Sequence, residues 1–98
     1  DRWALRKRGA IITNPSRGDL IGEGPLAVAL EEGRLGGAGL DVYTNEPAIS
    51  ADLLRAPRTV LLPHIGSATE QTRRKMAAIA LANVQAVLGG KPPLTPVY

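Results

Sequence analysis

Ala10-Ile11-Ile12-Thr13-Asn14-Pro15-Ser16-Arg17-Gly18-Asp19 is the stretch that decides how this chain is read. Its first five residues form a short, largely apolar run between Gly9 and Pro15, too brief for a comfortable helix. Such a run predicts a strand buried on both faces, the usual state of a parallel strand. Pro15 to Asp19 are turn formers, so the strand runs into a tight turn that carries an arginine. From Glu23 the spacing becomes helical: Leu26, Ala29 and Leu30 share one face, with Glu23, Glu31 and Glu32 off it. Gly22 is the expected N-cap, Pro25 is tolerated in the first turn, and Gly33 ends the helix.

The alternation continues downstream. Ala38-Gly39-Leu40-Asp41-Val42-Tyr43 predicts a second strand, whose Gly39 permits close approach of another backbone or a ligand. Residues 44–57 read as an irregular connection with Pro47 and Pro57, in which Ala51 to Arg55 make one helical turn. Thr59-Val60-Leu61-Leu62 is a third strand, ended by Pro63. Ser67 or Thr69 caps a long helix that runs to about Leu88, with Met76, Ile79, Ala80, Val84, Val87 and Leu88 as its apolar stripe. Gly89-Gly90 stops it, Pro92-Pro93 prevents resumption, and the tail from Lys91 to Tyr98 is extended. Upstream, residues 2–8 predict a short helix or its last turn, with Trp3 and Leu5 facing inward. The order of strands and helices predicts an α/β fold with a parallel sheet. Three strands leave exposed edges, a liability for an independent domain.

Composition narrows the class. The chain has 98 residues, one domain or part of one, and without Phe its core must come from Leu, Ile, Val and Ala. The absence of Cys excludes disulfides, thiolate chemistry and Cys-based metal sites. The net charge of +3 is concentrated in Arg2, Arg6, Lys7 and Arg8, which read as a solvated face before a strand. No aromatic interleaving supports nucleic-acid binding. No apolar run approaches the roughly 20 residues of a membrane span, and no signal-peptide pattern is present. A cytoplasmic protein without membrane contact fits these features. The start at Asp1, without Met, predicts a processed chain or a piece of a longer one.

In open α/β sheets ligands bind beyond the carboxyl ends of the strands. Arg17 follows the first expected strand, Glu46 the second and His64 the third, so a parallel sheet would bring all three to one crevice. An imidazole both gives and accepts protons near neutrality, and Glu46 would favour its protonated form. The planar fork of Arg17 suits a substrate carboxylate. Asp41 interrupts an apolar strand, so it is either buried and hydrogen-bonded for structure or faces a ligand. His64-Ile65-Gly66-Ser67-Ala68-Thr69 enters a helix, where backbone N–H groups and Ser67 would bind a polar ligand or cap the helix. One His and no Cys make no metal constellation. There is no GxGxxG after a strand and no GxSxG elbow.

Four blocks carry a family resemblance: Asn14-Pro15-Ser16-Arg17-Gly18-Asp19-Leu20-Ile21, Gly37 to Tyr43, Glu46-Pro47, and Leu62-Pro63-His64-Ile65-Gly66-Ser67-Ala68-Thr69. In order and spacing they resemble the successive blocks of NAD(P)-dependent D-2-hydroxyacid dehydrogenases, with Arg17 and Glu46 a fitting 29 positions apart. The run from Pro63 through Arg73 looks most like the glyoxylate/hydroxypyruvate reductase branch. The resemblance covers Gly9 to about Pro93. Gly22 departs from it, since the family usually has Asp there.

The resemblance implies hydride transfer between NADP or NAD and a small 2-oxo or 2-hydroxy acid. Arg17 would hold the substrate carboxylate, His64 would donate or accept the proton, and Glu46 would orient His64. Asp41 would hold the nicotinamide carboxamide, and Pro15 and Ser16 would pass the nicotinamide ribose. Gly66 and Ser67 would lie beside the nicotinamide and substrate. Residues 1–66 would be the C-terminal half of a Rossmann-like NAD(P)-binding domain, and 67–98 a helix and tail returning to the substrate domain. The rest of the parent enzyme, and a second copy in a homodimer, are the implied partners. The 98 residues alone are expected not to catalyse. A non-enzymatic, nucleotide-sensing corepressor of the same fold is the alternative reading.

Overall fold

The computed structural model describes residues 5–97. Its elements are β1 (Ala10–Asn14), a 3-10 turn (Gly18–Leu20), α1 (Glu23–Glu31), β2 (Leu35–Leu40), α2 (Ala51–Arg55), β3 (Thr59–Leu61) and α3 (Glu70–Leu88). The chain divides into two compact units, one ending at Gly66 and the other starting at Ser67. The expected α/β alternation and the parallel sheet are present.

In the first unit the strands run in the order β1-β2-β3, all parallel. Asn14 pairs with Leu40, and Leu40 with Leu61, so the three carboxyl ends stand level. That level edge positions everything that follows. α1 and α2 cover one face of the sheet. Leu26, Leu30 and Leu53 are fully buried there with Leu35, Ala38, Leu40 and Tyr43. Each fully buried leucine stabilises the unit by about 1.5–3 kcal/mol of transfer free energy.

The other face carries Ile11, Thr13, Gly37, Gly39 and Val60 in register. Ile11 is 75% exposed and Val60 63%. The expectation of β1 buried on both faces is therefore corrected: among the described residues β1 is the edge strand of the sheet, and its Ile11 face is exposed. β2 also differs from the expected Ala38–Tyr43, since it spans Leu35–Leu40. Glycines are poor strand formers, which hides Gly36 and Gly37 from a propensity reading. Gly37 pairs with Ile11, and Gly36 lies where the register shifts and neighbouring backbone comes close: a Cβ on Gly36 would lie 2.3 Å from the Gly9 carbonyl oxygen. The helix expected over residues 2–8 falls partly on 1–4, outside the described residues, and Leu5 is exposed rather than inward.

Arg58 closes the end of α1. Its φ is +56°, and its guanidinium donates to the carbonyls of Leu30 (2.6 Å), Gly36 (3.1 Å) and Leu35 (3.3 Å). A cation there meets the negative end of the helix dipole and adds a second donor to the Leu30 carbonyl, which already accepts the Gly33 N–H.

The second unit is α3 and its tail. The Thr69 hydroxyl caps the helix by accepting the Thr72 N–H, as one of the two expected caps. The apolar stripe of α3 is not buried within this unit. Its tail is tied back by Asn83, whose amide accepts the Thr95 N–H and donates to the Thr95 hydroxyl. No described helix is long and apolar enough to cross a membrane.

Candidate active site

Three loops leave the level strand ends, and each is fastened by named bonds. After β1, buried Asn14 shapes the turn: its Oδ1 accepts the Ser16 N–H (3.2 Å) and its Nδ2 donates to the Arg17 carbonyl (2.8 Å). Arg17 itself is exposed, with Nη1 donating to the Ser16 carbonyl at 2.8 Å. Gly18 presses against the next loop so closely that a Cβ on it would lie 2.1 Å from the Tyr43 carbonyl carbon.

After β2, the chain turns at Asp41-Val42-Tyr43, all buried. The Tyr43 N–H donates to Glu46 Oε1 at 3.0 Å, which holds the carboxylate over the turn. The Thr44 N–H donates to Glu23 Oε1 at 2.7 Å, tying the same loop to the start of α1. The Tyr43 hydroxyl points at the Leu62 carbonyl (2.7 Å) and the Leu40 carbonyl (3.1 Å), bridging the ends of β2 and β3. Burial, and then the charge of Asp41, push the phenol above its ordinary value, so it stays a donor.

After β3, His64 sits in the left-handed region with φ +60°. Its Nδ1 meets Glu46 Oε2 at 2.7 Å, which leaves Nε2 for a second partner. The bond from His64, then the Tyr43 N–H, hold the Glu46 carboxyl below its ordinary value. The next two residues are gripped from behind: Ile65 N–H donates to Asp41 Oδ1 (2.8 Å) and Gly66 N–H to Asp41 Oδ2 (2.6 Å).

Arg17, Glu46 and His64 line one open crevice, together with Asp19 and the segment Tyr43 to Asn45. A second cavity of about 370 Å³ lies against the same pair, walled by Tyr43, Pro47, Ile49 and Pro63. A third, about 210 Å³ and mostly apolar, opens on the uncovered sheet face between Thr13, Pro15, Gly39, Asp41, Val60 and Leu62. Of the residues singled out from sequence, Arg17, Glu46 and His64 thus share one crevice. Pro15 and Asp41 line the third cavity, and Gly66 is bonded to Asp41. Ser16 serves the Arg17 turn, and Ser67 is the first residue of the second unit.

Sequence reasoning missed the fastening residues: Asn14, Gly18, Glu23 and Tyr43. For Asn14 the signal is present, because Asn before a turn offers a side chain that mimics backbone. The other three act across loops distant in sequence and leave no local pattern.

Comparison with known proteins shows the family. Residues 1–66 match the family described as D-isomer specific 2-hydroxyacid dehydrogenase, NAD binding domain, and the chain belongs to that family. It is 49% identical over 94 residues to the hydroxyphenylpyruvate reductase of Plectranthus scutellarioides, covering 96% of this chain and 30% of that protein. It is 47% identical over 99 residues to a glyoxylate/hydroxypyruvate reductase of Arabidopsis thaliana, covering 99% of this chain and 32% of that one. Among solved structures, the glyoxylate reductase from Paecilomyes thermophila superposes with a TM-score of 0.90 at 43% identity, over 97% of this chain and 29% of that one. The NADPH-dependent glyoxylate/hydroxypyruvate reductase of Sinorhizobium meliloti, in complex with NADP and malonate, gives 0.85 at 40% identity, over 97% and 30%. The chain therefore spans about three-tenths of the length of the relatives it matches.

Proposed function

We propose that this chain is the carboxyl-terminal part of an NAD(P)-dependent D-2-hydroxyacid dehydrogenase that reduces a small 2-oxo acid of the glyoxylate or hydroxypyruvate type. The observation that carries the reading is the 2.7 Å contact between His64 Nδ1 and Glu46 Oε2 in a crevice shared with Arg17. A carboxylate on Nδ1 fixes the ring and leaves Nε2 to give a proton to a developing alkoxide or take it back. Arg17 holds the substrate carboxylate with its paired donors and polarises the 2-oxo group. The lowered Glu46 carboxyl stays ionised at neutral pH and keeps its hold on the ring.

The nicotinamide end of the cofactor fits this chain. The apolar cavity on the uncovered sheet face accepts a flat ring, and Pro15 and Asp41 border it. Each Asp41 oxygen keeps a lone pair beyond the one given to Ile65 or Gly66, so the carboxylate remains able to accept from the carboxamide. Ser16 and Gly66 complete this border in the reading. When bound, NADH or NADPH supplies the hydride.

On this reading residues 1–66 belong to the cofactor-binding domain and 67–98 return to the substrate domain. The remainder of the enzyme and a second copy, in a cytoplasmic homodimer, are its partners. The test is oxidation of NADH or NADPH by the full-length protein with glyoxylate and with hydroxypyruvate. Turnover with either supports the proposal; no turnover with any small 2-oxo acid overturns it.

A further inference from the structure

Buried Asp41 reaches across from the end of β2 to the loop after β3, and its two oxygens are divided between successive amides, Ile65 and Gly66. Those amides immediately follow His64, whose φ of +60° is uncommon for a residue with a side chain. Such a conformation persists only where the surroundings over-determine it. On the upstream side the Tyr43 hydroxyl fastens the Leu62 carbonyl, two residues before His64. On the downstream side Asp41 does the fastening. A Cβ on Gly66 would lie 2.9 Å from Asp41 Oδ2, so the glycine is what lets the carboxylate come this close.

We propose that Asp41 is a positioning residue for His64: by gripping the Ile65 and Gly66 amides it holds the left-handed turn that aims the imidazole at Glu46. The role in turnover rests on the reading of His64 as proton donor, whereas the grip itself is a property of the fold. It is distinct from a contact of Asp41 with the nicotinamide, because it operates through the backbone that follows His64 and needs no cofactor.

Glu46 reports on the grip. The groups around its carboxylate are His64, the Tyr43 N–H and phenol, and Asp41, with Arg17 and Asp19 across the crevice. The bond from His64 is the largest influence and lowers Glu46; the charge of Asp41 opposes it and raises Glu46. Removing the Asp41 charge would by itself lower Glu46 further. Losing the aim of His64 would raise it. The two accounts of Asp41 therefore predict opposite signs.

The experiment is a carbon-detected titration of the Glu46 carboxyl in the full-length protein without cofactor, in wild type, Asp41→Asn and Gly66→Ala. Asp41→Asn turns a donor toward one of the two amides; Gly66→Ala displaces the carboxylate without changing any charge. The proposal predicts that Glu46 moves up in both, and that Ile65 and Gly66 amides exchange about 10- to 100-fold faster while the Leu40 amide is unchanged. A downward or null shift in Gly66→Ala or in a folded Asp41→Asn, or unchanged exchange, overturns it. Should Asp41→Asn fail to fold, the Gly66→Ala titration decides alone. Turnover with a 2-oxo acid should fall about 10- to 100-fold in Asp41→Asn, the effect of a misplaced group. A rise in the KM for nicotinamide with no change in kcat or in Glu46 would instead make Asp41 a cofactor ligand only, and would overturn the proposal. Wild-type turnover in His64→Gln would sink the functional reading, while the titration would still decide whether the grip exists.

Discussion

Gly18→Ala is the substitution for which the structure gives the plainest magnitude. A Cβ at this position would stand 2.1 Å from the Tyr43 carbonyl carbon, 2.2 Å from its oxygen and 2.6 Å from the Thr44 nitrogen. Ordinary contact begins at 3.4 Å, so the two loops must part by more than an ångström. The obstructing atoms are backbone and cannot rotate aside. They are also fastened: Tyr43 through Glu46 and Leu62, and Thr44 through Glu23. The Arg17 turn is therefore what yields. Overpacking of this kind costs about 1–3 kcal/mol of stability. A shift of about 1 Å in a positioning group costs on the order of 100-fold in rate. The assay is kcat/KM for a 2-oxo acid in the full-length protein, with nicotinamide affinity as internal control and denaturant unfolding alongside. A loss of about 100-fold in kcat/KM with little change in cofactor affinity is expected. Kinetics within roughly twofold of wild type, with unfolding unchanged, would refute the claim that this contact sets Arg17.

Arg17→Ala should raise the KM for the oxo acid about 10- to 100-fold, the worth of a charge-assisted bond, as steady-state kinetics would show. Arg58→Met keeps the cost of the positive φ but removes the bonds to the Leu30, Leu35 and Gly36 carbonyls. Denaturant unfolding should register a loss of about 1–2 kcal/mol. The Glu46 carboxyl should titrate below its ordinary 4.5 and rise toward it in His64→Ala, because the His64 bond is the largest cause of the lowering. Since folding depresses this group, its contribution to stability is present above the ordinary carboxylate range and is lost as pH falls through the depressed value. A carboxyl titration of wild type and variant checks both.

Much of this fold is legible in the sequence because the signals are local. A five-residue apolar run ahead of Pro15, a helical period from Glu23, and strand ends punctuated by turn formers predict the parallel α/β order. Parallel geometry alone then places Arg17, Glu46 and His64 on one edge. What is not legible depends on contacts between segments distant in sequence. The start of β2 is hidden at Gly36 and Gly37, where proximity to Gly9 and Arg58 outweighs the poor strand propensity of glycine. Two-sided burial of β1 does not hold, because a run of residues does not reveal whether one face or two will be covered. Tyr43 reads as another apolar strand residue, yet its hydroxyl spans 19 positions to reach Leu62. Asp41 reads equally as structural or ligand-facing in the sequence, and only the fold reveals its bonds to Ile65 and Gly66.

The central claim is that His64, held by Glu46, moves the proton. Single-turnover reduction of glyoxylate by the full-length protein, wild type against His64→Gln, tests it most directly. The expected result is a fall of about 10²- to 10⁴-fold in the chemical step, the usual worth of a general acid, with nicotinamide affinity nearly unchanged. A chemical step within roughly threefold of wild type would contradict it.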